Sequence, residues 1–304
     1  MASERPQFYE TNPAALEDPR LKAVIEATRS WRPTYESLIA GYEDVLIING
    51  FQRYLATKLG VPPSELRVPD RDNIFELQNH LLDHGPHGPL VFFRHGAQLL
   101  KPETAALDET RQKIEAMRWP NNFEDFLTNK AMLEAATTAI ALKVMKDHLA
   151  IRYGKVKNVR VLSSASARAI QVAAIFAEII QVEAEYLSML DCPNYLPESE
   201  MPTERLISIL GAENKGSMPW TRTIVDAACG EGTYTGIQTD MNDILYQANQ
   251  EDAWVFAVGH TQHTNHLDEV IGVAPKRLDD LGATVVWNEA GKYEGKRFQS
   301  GIFK

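Results

Sequence analysis

The stretch Leu90-Val91-Phe92-Phe93-Arg94-His95-Gly96 decides how this chain is read. Four consecutive apolar residues of β-preferring types read as a buried strand. The strand runs straight into a guanidinium and an imidazole. In open α/β sheets the carboxyl end of a strand is where ligands bind. Arg94 stays charged, and its planar fork matches the geometry of phosphate. His95 is a nucleophile available at neutral pH. Gly96 lets the backbone turn closely around a bound group. Taken alone, the tripeptide is equally consistent with a strand end capped by two polar residues.

Three further segments add weight. In Val159-Arg160-Val161-Leu162-Ser163-Ser164-Ala165-Ser166-Ala167-Arg168-Ala169-Ile170-Gln171-Val172-Ala173, a β-rich run ends in a serine-rich turn. A helix then begins with Arg168 in its first turn, beside an amino end that favours anions. In Ala253-Trp254-Val255-Phe256-Ala257-Val258-Gly259-His260-Thr261 a second apolar strand ends in Gly-His. In Leu127-Thr128-Asn129-Lys130-Ala131-Met132-Leu133-Glu134-Ala135, Thr128 is placed to cap a helix. An isolated Arg168 reads as a solvent-facing helix residue, and an isolated His260 as a side chain satisfying its own hydrogen bonds. Two strand-end histidines with two arginines are harder to dismiss together.

The order of these blocks resembles the histidine phosphatase superfamily, also called phosphoglycerate-mutase-like. The resemblance spans roughly Pro89 to Glu289. Members usually read Leu-Thr-x-x-Gly-x-x-Gln-Ala in the second block, where this chain has Ala131 and Glu134. They usually read Ser-Ser-Pro in the third, where Ala165 takes the proline position. Gln98 stands where Ser or Thr is frequent. The resemblance implies that His95 attacks phosphorus and forms a phosphohistidine, while Arg94, Arg168 and His260 hold the phosphoryl oxygens. It implies no cofactor and no metal. Gln98 is the candidate for an additional phosphate contact. A general acid must protonate the leaving oxygen. Thr261 follows His260, so the acid found directly after the second histidine in one branch is missing. Asp191, just past the third expected strand, is the candidate, with Glu198 and Glu200 as runners-up and a turn-capping role for Asp191 as the bland alternative. His263 and His266 read as helix-surface or packing residues, having no carboxylate pattern of metal-binding geometry around them.

Composition sets the frame. With 304 residues and 44% hydrophobic content, the chain can bury a sizeable core. The net charge of −10 comes without a basic cluster, which argues against nucleic acid as a partner. A pocket that attracts phosphate must therefore owe its field to local arginines. Two cysteines, Cys192 and Cys229, form no disulfide framework, and with no signal-like or membrane-spanning apolar run they suggest a cytoplasmic protein without membrane contacts.

Alternating strand and helix patterns predict a three-layer α/β/α sandwich with a largely parallel sheet. Strands are expected near 90–94, 159–163, 182–188, 253–258 and 283–287. Helices are expected near 129–151, 167–180, 239–249 and 263–271. Residues 1–19 read as loosely structured. Residues 1–88 as a whole read as a helical extension packed on a catalytic domain of residues 89–304, offering a surface for homo-oligomer formation. Helical patterns run from Leu21 to about Lys58, interrupted at Arg32-Pro33, and again from Ile74 to Leu82. Residues 192–236, rich in Pro, Gly, Glu, Ser and Thr, read as an insertion that by resemblance covers the active site. Within it, Ile224-Val225-Asp226-Ala227-Ala228-Cys229-Gly230-Glu231-Gly232-Thr233 is similar to the first motif of class I methyltransferases. Too little chain follows it for a Rossmann-type sheet, so a glycine-rich turn is the simpler reading. The functional expectation is a phosphatase acting on a small phosphorylated metabolite. A mutase-type phosphotransferase and a non-catalytic phospho-ligand-binding protein stay open beside it.

Overall fold

The computed structural model describes residues 13–83, 89–97, 126–154, 158–191, 221–250 and 253–304, with 193, 196, 199–202, 204, 205, 208 and 209 between them. Its centre is a six-stranded sheet. The strands are β1 (Leu90–Arg94), β2 (Asn158–Ser163), β3 (Ala184–Tyr186), β4 (Ala253–Gly259), β5 (Ala283–Glu289) and β6 (Lys292–Phe298), in the spatial order β3-β2-β4-β1-β5-β6. The first four are mutually parallel; β5 runs antiparallel to β1, and β6 antiparallel to β5, back in the direction of the first four. The carboxyl ends of β1, β2 and β4 therefore share one edge.

Alternation along the strands sends side chains to two cores. Val91, Phe93, Val161, Phe256 and Val258 point to one face. There they meet α2 (Pro19–Leu38), α3 (Asp44–Leu59), α5 (Asn129–Tyr153) and α6 (Ala167–Ile180). Leu90, Phe92, Leu162, Val255 and Ala257 point to the other face. That face is covered by α7 (Arg222–Cys229) and α8 (Thr233–Gln250), with Leu267 of α9 (Thr261–Val270). A short helix, α1 (Pro13–Glu17), precedes α2, and α4 (Arg71–Asp83) precedes β1. The result is a sandwich of helix, sheet and helix. Among the described residues no helix is long and apolar enough to cross a membrane.

Several local expectations need correction. Residues 13–17 and Pro19 onward are helical, and Asp18 caps α2 by accepting from the Arg20 amide at 2.9 Å. Pro33 does not break α2. Buried Trp31 and Tyr35 hold the helix on either side of it, and the chain turns instead between Ile39 and Glu43. The third strand spans only three residues, and a 3-10 turn at Ser188–Leu190 follows. Strand β6 goes unread in the sequence because Lys-Tyr-Glu-Gly-Lys-Arg-Phe carries the charges that blunt a sheet edge. Ala290 (φ 53°) and Gly291 (φ 87°) form the two-residue turn that folds it onto β5. The methyltransferase-like segment is not a strand entering a glycine turn. Ile224–Cys229 is helical, and Ile224, Val225 and Ala228 are core residues; only Gly230–Gly232 is the turn.

Candidate active site

Strand β1 delivers Arg94 and His95 to the sheet edge, and both are buried. The His95 amide donates to Gly259 O at 3.1 Å, locking the end of β1 against that of β4. His95 Nδ1 lies 3.1 Å from Gly96 O. A carbonyl oxygen only accepts, so Nδ1 carries the proton and Nε2 keeps the lone pair in the neutral ring. Two glycines make this corner possible. A Cβ on Gly96 would stand 2.9 Å from Ala131 Cβ, and one on Gly259 would stand 2.7 Å from the Phe92 ring. The loop after β1 is tied to α5 by the Thr128 amide on Ala97 O at 3.1 Å. Thr128 itself caps α5 by accepting from the Ala131 amide at 3.1 Å.

Strand β4 delivers His260, the residue that precedes α9. Its ring meets that of His95 edge-on, with centroids 5.1 Å apart. His260 Nε2 is 3.1 Å from Ser164 Oγ, which also lies 3.0 Å from Ser166 Oγ. The serine-rich turn after β2 thus orients the second histidine, a role that the sequence pattern does not assign to Ser164. Arg168 stands in the first turn of α6, nearly buried.

Electrostatics tie the four residues into one cluster. Burial, then the charges of Arg168, His260 and Arg94, hold the His95 pKa well below that of a free histidine. Burial, then His263, Arg168 and Arg94, do the same for His260. Both rings are therefore neutral near pH 7. Burial is also the main cause that lowers Arg94, to about 10, with Asp280 opposing it. Arg94 remains a cation at neutral pH.

Arg94 Nη1 bonds Asp280 Oδ1 at 2.6 Å and Leu278 O at 3.1 Å, so one side of its fork is fixed. Among the described residues, its buried Nε has no hydrogen-bond acceptor. A buried donor left unpaired is costly and rare, and here it sits in a cluster of anion-preferring groups. Asp280 is a further residue that the sequence does not reveal; the pair Asp279-Asp280 ahead of β5 carries no motif.

Asp191 follows the 3-10 turn after β3, and its Oδ1 accepts from the Ala165 amide at 2.5 Å. That places it against the turn that orients His260. Burial raises its pKa above the usual carboxylate range, and the Ala165 N–H opposes the rise. Glu200 is exposed, while Gln98 and Glu198 lie outside the described residues. Of the two readings for His263 and His266, helix surface or packing, packing holds. Both are buried, His263 stacked on Phe92 and His266 bonded to Asn242 Oδ1 at 3.1 Å. Among the described residues, no three His, Cys, Asp or Glu side chains gather as a metal site.

No protein-family model matches the chain, and no curated protein matches it in sequence. Solved structures similar to it include a mycobacterial glucosyl-3-phosphoglycerate phosphatase, 13% identical with a TM-score of 0.43, covering 70% of this chain and 98% of that one. A phosphoserine phosphatase from Entamoeba histolytica, in complex with 3-phosphoglyceric acid, is 14% identical with a TM-score of 0.44 and coverages of 70% and 96%. The protein histidine phosphatase SixA, complexed with tungstate, is 16% identical with a TM-score of 0.37 and coverages of 69% and 96%.

Proposed function

We propose that this chain is a phosphomonoester hydrolase of the histidine phosphatase type, acting on a small phosphorylated metabolite. One observation carries the reading: a neutral His95 with its Nδ1 proton spent on Gly96 O, beside Arg94, Arg168 and His260 at one sheet edge. Such a ring presents Nε2 as a nucleophile without needing a base to remove a proton.

The chemistry follows from the demands of phosphoryl transfer, which are chiefly positioning and charge. His95 Nε2 forms a bond to phosphorus as the bond to the leaving oxygen breaks. Arg94, Arg168 and His260 bind the equatorial oxygens and offset the charge that grows on them. Asp191 gives its proton to the leaving oxygen, helped by the burial that raises its pKa. Its carboxylate then takes a proton from the water that attacks the phosphohistidine, and inorganic phosphate leaves. No step calls for a metal.

Rapid quenching of the protein with radiolabelled p-nitrophenyl phosphate tests this. The expected product is an acid-labile, base-stable protein phosphate that is missing from His95→Ala, with turnover unaffected by EDTA. Hydrolysis without a trapped phosphoprotein, or one that persists in His95→Ala, would overturn the assignment.

A further inference from the structure

His95 and Arg168 reach the phosphoryl cluster on different elements. His95 stands on the loop after β1, and Arg168 in the first turn of α6. A phosphoryl group held between them needs their spacing fixed, because a misplacement of about 1 Å can cost about 10²-fold in rate. The bonds that fix this spacing come from the amino-terminal part of the chain.

Leu127 lies between the two elements. Its side chain packs on the His95 loop, where Leu127 Cδ2 would stand 3.2 Å from a Cβ on Gly96. The neighbouring Thr128 amide donates to Ala97 O at 3.1 Å. Towards α6, the Leu127 amide donates to Gln171 Oε1 at 2.8 Å. Gln171 is fully buried and stands three residues after Arg168, on the same side of the helix. Gln171 Nε2 donates to Asp18 Oδ2 at 2.8 Å, and Arg20 Nη2 donates to the same oxygen at 2.7 Å. Arg20 Nη1 then reaches across 107 positions to donate to Leu127 O at 2.9 Å. Asp18, Arg20, Leu127 and Gln171 thus close a ring of hydrogen bonds, in which both the N–H and the C=O of Leu127 are held. Burial pushes the Asp18 carboxyl up, but its bonds to Arg20 and Gln171 outweigh this and hold it below the usual carboxylate range. The ring therefore keeps its charged acceptor at neutral pH, and charge-assisted bonds are the stronger kind.

Packing acts in the same direction. Ala15 of α1 is buried against Ala167 and Ile170, which flank Arg168 in α6, with Phe126 and Tyr186 at the margin of the cluster. We propose that Asp18 and Arg20, acting through Gln171 and Leu127, are positioning residues: they hold the Arg168 turn of α6 at a fixed distance from the His95 loop. The proposal rests on the phosphatase reading for the reaction that this alignment serves.

Arg20→Gln is the primary variant, because the Arg20 side chain is 27% exposed and water can take its place on Asp18. Asp18→Asn is the second. Both are compared with Tyr35→Phe, which removes the 2.7 Å bond from the other end of α2 to Asp147. Turnover of p-nitrophenyl phosphate and inhibition by vanadate are measured well below the unfolding midpoint of each protein. Arg20→Gln should lower kcat and weaken vanadate by about tenfold, and Asp18→Asn by less, while Tyr35→Phe should change neither. Once Arg168→Ala has removed one member of the spaced pair, adding Arg20→Gln should alter vanadate inhibition by less than about twofold. Native kinetics in both ring variants, the full loss repeated on top of Arg168→Ala, or an equal loss in Tyr35→Phe would overturn the proposal. Amide exchange separates it from the phosphatase reading. In Arg20→Gln the Thr128 amide should exchange about tenfold faster, with the protection of β4 unchanged. A chain that neither hydrolyses esters nor binds vanadate sinks the phosphatase reading; the alignment of α6 with the His95 loop then stands if Thr128 exchange quickens and falls if it does not.

Discussion

At His95 the decisive quantity is the state of the proton. The ring is neutral because burial and three positive or polarisable neighbours make a second proton costly. The acid limb of kcat/KM is therefore expected well below pH 6.5, and a limb at 6.5 or above would contradict the neutral-ring picture. Replacing His95 by Ala should cost on the order of 10³-fold or more in turnover. Arg168→Ala should raise the vanadate inhibition constant by about 10²–10³-fold, the scale of one lost donor to a developing charge; an unchanged constant would return Arg168 to a purely structural role. Asp191→Asn should slow alkyl phosphates far more than p-nitrophenyl phosphate, since nitrophenolate leaves almost unaided; equal losses would leave Asp191 only as the partner of the Ala165 amide. The same rings act on stability. His95, His260 and His263 (about 4) all titrate below their unfolded value near 6.5. The unfolded chain then binds more protons between those values, so stability is full above about pH 6.5 and falls as the pH drops below it. His263→Leu should make the decline between pH 7 and 5 shallower in urea titrations. The comparison with the parent cancels the opposite contribution of Asp268, which burial raises to about 6.

Helix α5 and the loop after β1 are fitted to one another through a contact that two small residues share. Adding a methyl at Gly96 drives it to 2.9 Å from Ala131 Cβ and 3.2 Å from Leu127 Cδ2. Gly96→Ala is expected to lose about 1–3 kcal/mol. Ala131→Gly alone should lose about 1 kcal/mol of helix propensity. Combined, they should lose less than the sum, a coupling read from a denaturant double-mutant cycle; strict additivity would mean the clash lies elsewhere. Elements whose apolar residues are consecutive or regularly spaced are legible in the amino-acid sequence: β1 at 90–94, β4 from 253, α6 at 167–180. Helix α9 misleads because its polar residues suggest an outer face. Thr261 to Asp268 is buried instead, and the chain supplies distant partners, such as Arg297 on Asp268 at 2.8 Å. The hold of Asp280 on Arg94 spans 186 positions, and no local pattern encodes such a pair. Arg-His-Gly, the serine turn with Arg168, and Gly-His are readable because each ends or begins an element whose hydrophobic pattern is plain.

Taken as a whole, the molecule does not separate its amino-terminal helices from its sheet. Leu21, Trp31, Phe51 and Leu77 share one core with Val91, Phe93 and Phe256, and the Trp254 indole donates to Leu81 O at 3.1 Å. Phe51→Ala should therefore cost about 3–5 kcal/mol and lower the midpoint seen by Trp31 and Trp254 together, in one transition. Separate transitions would instead show the helices to be an independent unit. The strand order has a consequence for biosynthesis. Strand β4 lies between β2 and β1, yet it leaves the ribosome about ninety residues after β2 and more than a hundred and fifty after β1. Until residue 259 emerges, the nascent sheet has a vacant central place, two hydrophobic edges waiting to pair, and His95 without its neighbour. The cluster of Arg94, His95, Arg168 and His260 is thus incomplete through most of the chain's own translation. Its most aggregation-prone interval falls just before the strand that completes it, where a holding chaperone would be of most use.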